Sequence, residues 1–179
     1  NYLSFDTKTS GTGFRLGKNI TEYESLSLGY RFENVEVTGV AAANVTDIFK
    51  NETRTTSRLS PTYVYDSRDN FLNPSKGWRH MVAFQFAGLG GAKFTRSSYE
   101  TTYYHPLIGK LVGAAHARVN FAEGYGGETL PAFERYFMGG PTTLRGFTIQ
   151  NIGPKDTNGN PVGGSKSLIL NVETQYPFT

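Results

Sequence analysis

Cysteine is absent from the sequence, which excludes a disulfide framework, a thiolate zinc site and a cysteine nucleophile. The compartment stays open on that ground, because an oxidising space permits disulfides without requiring them. Also missing is any run near the roughly 20 apolar residues that a transmembrane helix needs. Stretches such as Gly39 to Ala43 and Leu111 to Ala115 are far too short. No signal peptide is recognisable, and the first residue is Asn1 rather than methionine. Charge of one sign is scarce: 18 Lys and Arg against 15 Asp and Glu leave +3, too little for a nucleic-acid-sized basic field. Apolar residues make up only 37% of the chain, low for a helical bundle. With 21 glycines, each costing about 1 kcal/mol in a helix relative to alanine, long helices are disfavoured. The length of 179 residues suits one domain, and a mean hydropathy of −0.40 points to a soluble one.

What is present is alternation with a period of two. From Glu24 to Phe32 one face carries Leu26, Leu28, Tyr30 and Phe32, the other Ser25, Ser27, Gly29 and Arg31. From Trp78 to Phe86, Trp78, His80, Val82, Phe84 and Phe86 oppose Arg79, Met81, Ala83 and Gln85. Lys110 to Ala122 and Leu168 to Tyr176 repeat the pattern, with Asn171, Glu173 and Gln175 on the polar register of the last. Gly13 to Gly17, Arg58 to Asp66 and Phe94 to His105 carry weaker versions, and Tyr2 to Thr7 suggests an eighth, truncated strand.

These strands exceed the usual length of about 5 or 6 residues and reach the roughly 9–11 that a tilted strand needs to cross a membrane. Lipid-facing apolar residues then alternate with a polar lumen. Half of each strand is polar in such a barrel, so a negative mean hydropathy does not exclude it. Lys18 to Thr21, Ser67 to Lys76 and Pro106 to Gly109 are expected to be turns. Glu33 to Thr55 and Tyr125 to Ser165 are expected to be long connections. Uneven loops of this kind fit short periplasmic turns and long outer loops, and a structureless loop as long as the last one counts against a compact soluble domain.

Three ordered motifs narrow the reading. Phe133 to Pro154 reads FERYFMGGPTTLRGFTIQNIGP, with Phe137, Gly139, Gly140, Leu144, Arg145, Gly146 and Phe147 forming an aromatic-x-Gly-Gly followed by LRGF. Tyr65 to Gly77 reads YDSRDNFLNPSKG, with Asp66, Arg68, Asp69 and Gly77 at its fixed points. Val162 to Phe178 reads VGGSKSLILNVETQYPF. Together they resemble the BamA-type outer-membrane assembly factors, a superfamily that includes TamA and the two-partner secretion transporters. The NIGP continuation and the DSRDN turn are most similar to the BamA branch.

The resemblance implies an all-β fold: an antiparallel transmembrane β-barrel, of which residues 1–179 form about eight strands out of sixteen. It also implies a lumen-directed loop at about 125–165. The POTRA modules, opening strands and closing strands are missing from this sequence. The implied activity is folding and insertion of client barrel proteins, without covalent chemistry, nucleotide, cofactor or metal. The implied partners are outer-membrane lipids, unfolded outer-membrane protein clients and accessory lipoproteins, with no nucleic acid, in the bacterial outer membrane. Alternatives are a two-partner-secretion translocation pore and a self-contained eight-stranded barrel, whose first and last strands would pair. A soluble lipocalin-like binder is disfavoured by the polar lumen register.

Within the loop, Leu144 and Phe147 are expected to anchor the tip by burial, and Gly146 to permit close backbone approach. A guanidinium carried into a lumen needs a carboxylate, and Glu173 is the expected partner of Arg145, as the resemblance also implies. Asp66, Arg68 and Asp69 are read as a turn-capping network rather than an acid–base pair, since no histidine or nucleophile is near. Asp156, Asn158 and Asn160 mimic the start of a calcium loop, but Pro161 stands at the required glycine and Ser167 at the final glutamate. His80, His105 and His116 lack metal-ligand spacing and are read as interfacial. The sequence has no GxGxxG, Walker or GxSxG motif. Tyr23, Tyr30, Phe32, Trp78, Tyr99 and Tyr103 are read as lipid-facing or girdle aromatics.

Overall fold

The computed structural model describes residues 6–40, 50–157 and 159–176. Seven strands form a single sheet in chain order: β1 Asp6–Asn19, β2 Glu24–Thr38, β3 Glu52–Asp66, β4 Gly77–Gly91, β5 Phe94–Pro106, β6 Val112–Gly124 and β7 Lys166–Gln175. Every neighbouring pair is antiparallel. β1 and β7 are the two edges and do not pair with each other, which counts against the self-contained closed ring. Asp6 and Thr7 belong to β1, where they pair with Thr38 and Val37. The described residues therefore contain seven strands rather than about eight, and Tyr2 to Phe5 of the expected extra strand lie outside them.

The register fixes two faces. Arg58, Ala87, Phe94 and Gly124 succeed one another across β3 to β6, as do Arg79, Thr102, His116 and Asn171 across β4 to β7. This inner face carries the charges expected of a lumen. The outer face presents Leu16, Leu28, Val82, Phe84, Tyr99, Leu168 and Val172, all exposed. Large apolar groups exposed on a whole sheet face are the mark of a surface that meets lipid. No helix among the described residues is long and apolar enough to cross a membrane.

At the short-turn end the outer rings form a continuous chain. Tyr23 meets Tyr65 at 6.3 Å, Tyr65 meets His80 at 5.9 Å, Trp78 stacks on His80 at 5.3 Å and on Tyr103 at 4.2 Å, and Tyr103 meets His105 at 6.0 Å. Such amphipathic rings favour the headgroup level of a bilayer. Tyr30 lies farther along β2, its ring 5.8 Å from Phe14 and its hydroxyl 2.8 Å from Ser57 Oγ.

The expected connection Glu33 to Thr55 is much shorter than its sequence suggested. β2 continues to Thr38, and Glu33 to Val37 pair with Thr56 to Glu52. Past Phe32 the apolar residues change face: Val35 and Val37 are buried on the inner side, while Asn34 and Glu36 point outward and are exposed. The strand has left the lipid, and the long loop covers its inner side.

Candidate functional site: the loop on the inner face

The segment between β6 and β7, residues 125–165, folds onto the inner face of the sheet. Its first stretch is fastened by apolar packing at two places. Ala132, Phe133, Phe137 and Val162 pack against Val35, Val37 and Val40. Leu130 and Tyr136 pack with Ala87, Ala92, Phe94 and Ala122. Between these clusters Ala132–Glu134 make a short 3-10 turn, and Glu134 enters a chain of charges. Its Oε1 lies 3.0 Å from Arg58 Nη2 on β3, and its Oε2 accepts a 2.7 Å bond from Arg96 Nη1 on β5. The Glu134 side chain is only 3% exposed. Arg58 also bonds Glu33 of β2. Arg96 donates to the Tyr136 hydroxyl at 3.2 Å, and its guanidinium lies 4.7 Å from the Tyr136 ring centre. Paired mainchain bonds between Tyr136 and Gly164, of 2.9 and 2.8 Å, close the base of the loop.

Beyond this root the chain doubles back, with Met138 bridged to Ile152 and Gly140 to Leu144. Gly139 sits at φ +110°, and a Cβ there would fall 2.2 Å from the Thr148 carbonyl oxygen. No other residue fits. Its N–H donates to Thr143 Oγ1 at 2.9 Å, tightening the turn that presents the motif. Arg145 leaves this turn toward β7, where its Nη2 lies 3.3 Å from Glu173 Oε1. Asn171 of the same strand reaches the Thr143 carbonyl at 3.5 Å.

The pair is exposed, unlike the loop tip that the sequence suggested would be anchored by burial: Arg145 is 74% and Glu173 37% exposed. Its neighbours differ as well. Phe147 is 60% exposed and anchors nothing by burial, while Leu144 is half-buried. Gly146 is at φ +83° with no atom within 4 Å of its Cβ position, so it serves the left-handed backbone rather than close approach. The tip, Glu173, Asn171, His116 and Tyr104 line a cavity of about 610 Å³.

His116 is on the inner face, 3.7 Å from Glu100, not at the interface. Glu100 also accepts bonds from Arg118 at 2.8 Å and Arg79 at 3.4 Å. Among the described residues no group of three or more His, Asp or Glu is placed to hold a metal.

The second motif is a turn at the end of the sheet that the tip reaches: Gly77 pairs with Tyr104, Tyr104 with Ala114 and Ala114 with Glu173. Arg68 forks onto Asp66, with Nε to Oδ1 at 2.8 Å and Nη2 to Oδ2 at 2.6 Å. Asp69 Oδ1 accepts from the N–H groups of Ser75 at 2.9 Å and Lys76 at 3.1 Å, and Oδ2 from the Ser75 hydroxyl. These donors hold the Asp69 carboxyl well below the usual carboxylate range. Gly77 closes the turn at φ +109°, where a Cβ would fall 2.4 Å from the Ser67 carbonyl oxygen.

Sequence reasoning missed Glu134, Arg58 and Arg96. A signal was available: Glu134 is an acid among aromatics in FERYF, and Arg58 and Arg96 occupy inward registers.

The whole of residues 1–179 matches the family model described as the Omp85 superfamily domain. The chain belongs to the Omp85 superfamily. Similar family members include the outer membrane protein assembly factor BamA of Nitratidesulfovibrio vulgaris, 26% identical over 97% of this chain and 23% of its own length. BamA of Neisseria meningitidis is 27% identical over 97% of this chain and 24% of its own length. The sorting and assembly machinery component 50 homolog of Homo sapiens is 30% identical over 68% of this chain and 27% of its own length. This Omp85 chain thus spans about a quarter of the length of the curated relatives it matches. The crystal structure of BamA from Haemophilus ducreyi lacking POTRA domains 1-3 superposes with a TM-score of 0.83 at 20% identity, covering 97% of this chain and 38% of that one. The open seven-stranded sheet therefore has the fold of part of an Omp85 barrel wall.

Proposed function

We propose that this segment is barrel wall and lumen loop of an outer-membrane insertase that folds and inserts client β-barrel proteins. The observation that carries the reading is the long loop fastened across the inner face, its root tied through Glu134 to β3 and β5 and its tip set against β7. The names of the relatives, two assembly factors and one component of a sorting and assembly machinery, support the same direction. The work is non-covalent: a barrel whose seam opens offers unpaired backbone groups to an incoming strand. No enzyme chemistry, cofactor or metal enters it. The partners are unfolded outer-membrane proteins, outer-membrane lipids and the accessory lipoproteins of the machinery, in the bacterial outer membrane.

Depletion of the full-length protein in its native cell tests this. The expected result is loss of many unrelated barrel proteins from the outer membrane. Loss of a single exported partner, with other barrels at normal levels, would replace this reading by a two-partner secretion pore.

A further inference from the structure

We propose that Glu134, rather than the motif arginine, is the positioning residue of the loop: a buried carboxylate latch that fixes the root while leaving the tip releasable. Three observations combine. First, the two ends of the loop are held by interactions of different kinds. Glu134 is almost fully buried between Arg58 and Arg96, and a buried ion pair that loses one partner strands the other charge. Arg145 and Glu173 form an exposed pair, and exposed pairs contribute little.

Second, the root reaches across the wall. Through Glu134 it ties β3 to β5 over the intervening β4. Its packing reaches β2 through Val35 and Val37, and β6 through Ala122. The tip's polar contacts with the wall among the described residues are with Asn171 and Glu173, both on β7. The root thus braces β2 to β6 as one unit, and the tip registers only the strand next to it. Third, the tip exposes Phe147 and Ile149. A segment whose apolar groups are unburied gains nothing from staying docked through them.

The inference rests on the proposed function only in treating the loop as functional, and its test reads loop position, not client assembly. The full-length protein, folded in lipid vesicles, is treated with trypsin, and cleavage is followed at Arg135, Arg145 and Lys155. Heat-modifiable gel migration reports whether the barrel itself is intact. Glu134→Gln and Arg96→Gln are each expected to raise cleavage at Arg135 and Lys155 about tenfold or more, with the barrel band retained. Arg145→Ala, which removes the tip's own trypsin site, is expected to leave both root sites within about threefold of wild type, while chymotrypsin cleavage at the exposed Phe147 rises by at most several-fold. Because the latch is one unit, the double variant is expected to match the larger single effect. That coupling separates it from independent packing losses, whose effects multiply. If Glu134→Gln does not form the barrel, the neutral Glu134→Gln/Arg96→Gln pair carries the same comparison. The proposal is overturned if Glu134→Gln leaves the root protected, if Arg145→Ala opens the root equally, or if the two latch substitutions multiply. A failed depletion experiment with these results intact would remove the insertase reading and leave the latch.

Discussion

Replacing Val82 by arginine tests the assignment of faces on which the fold and the site both depend. Val82 is on the outer face of β4 and exposed, four positions from Trp78 in the aromatic chain and four from Phe86. At about 3.4 Å per residue it is roughly 14 Å along the strand from the girdle. A tilt of about 40° brings that to roughly 10 Å along the membrane normal, close to the middle of an apolar band about 25 Å tall. An arginine on the lipid face at that depth costs about 2–4 kcal/mol, or roughly a 30- to 700-fold loss in the folding equilibrium constant.

Ala83, one residue on, points inward and pairs with Thr62 and Ser98. There an arginine meets hydroxyls, with Arg58 and Arg96 farther off, and screened repulsion limits the cost to about 1 kcal/mol or less. Both variants of the full-length protein are refolded into lipid vesicles across a urea series, with the folded fraction read from heat-modifiable migration. Equal penalties, or a larger one at Ala83, would refute the reasoning, because a shift of one residue must exchange lipid for lumen.

The motif pair and the turn make two further predictions. Arg145→Ala removes an exposed ion pair and is expected to cost about 0–1 kcal/mol in docking of the tip, visible as at most a several-fold change in protease accessibility there; a change of a hundredfold would show that the pair is buried in the working protein. The Asp69 carboxyl is depressed by its Ser75 and Lys76 donors, so its contribution is fully present above the unfolded value of about 3.9 and is lost as pH falls toward the folded value. Amide exchange at Ser75 and Lys76 is therefore expected to speed up, relative to turns without a carboxylate, below about pH 4. Asp69→Asn is expected to show faster exchange at pH 7 with no such acid step.

Strands, faces and the loop were readable in the sequence for one physical reason: a wall between lipid and water imposes a strict alternation. Trp78, Val82 and Phe86 against Arg79, Ala83 and Gln85 fixed the faces of β4 without any structure. Alternation failed as a guide at the far end of β2. There Val35 and Val37 turn inward under the loop, so the apolar register exchanges sides and looks like the end of a strand. Charge pairing was only partly visible. Glu173 was found for Arg145 because both lie in motifs and on a known register. Glu134 was not found because its partners come from β3 and β5, and strand order alone does not say where a forty-residue loop touches them. Burial was misjudged for the same reason. Phe147 is apolar enough to anchor a tip, yet the turn built by Gly139 and Thr143 points it into open space.

Reconstitution tests the central claim most directly. The full-length protein carrying this segment is incorporated into lipid vesicles, and the folding rate of an unfolded outer-membrane barrel protein is measured with and without it. The account predicts faster appearance of the heat-modifiable client, with acceleration retained in Arg145→Ala and reduced in Glu134→Gln. A client that folds at the same rate in empty vesicles would contradict it.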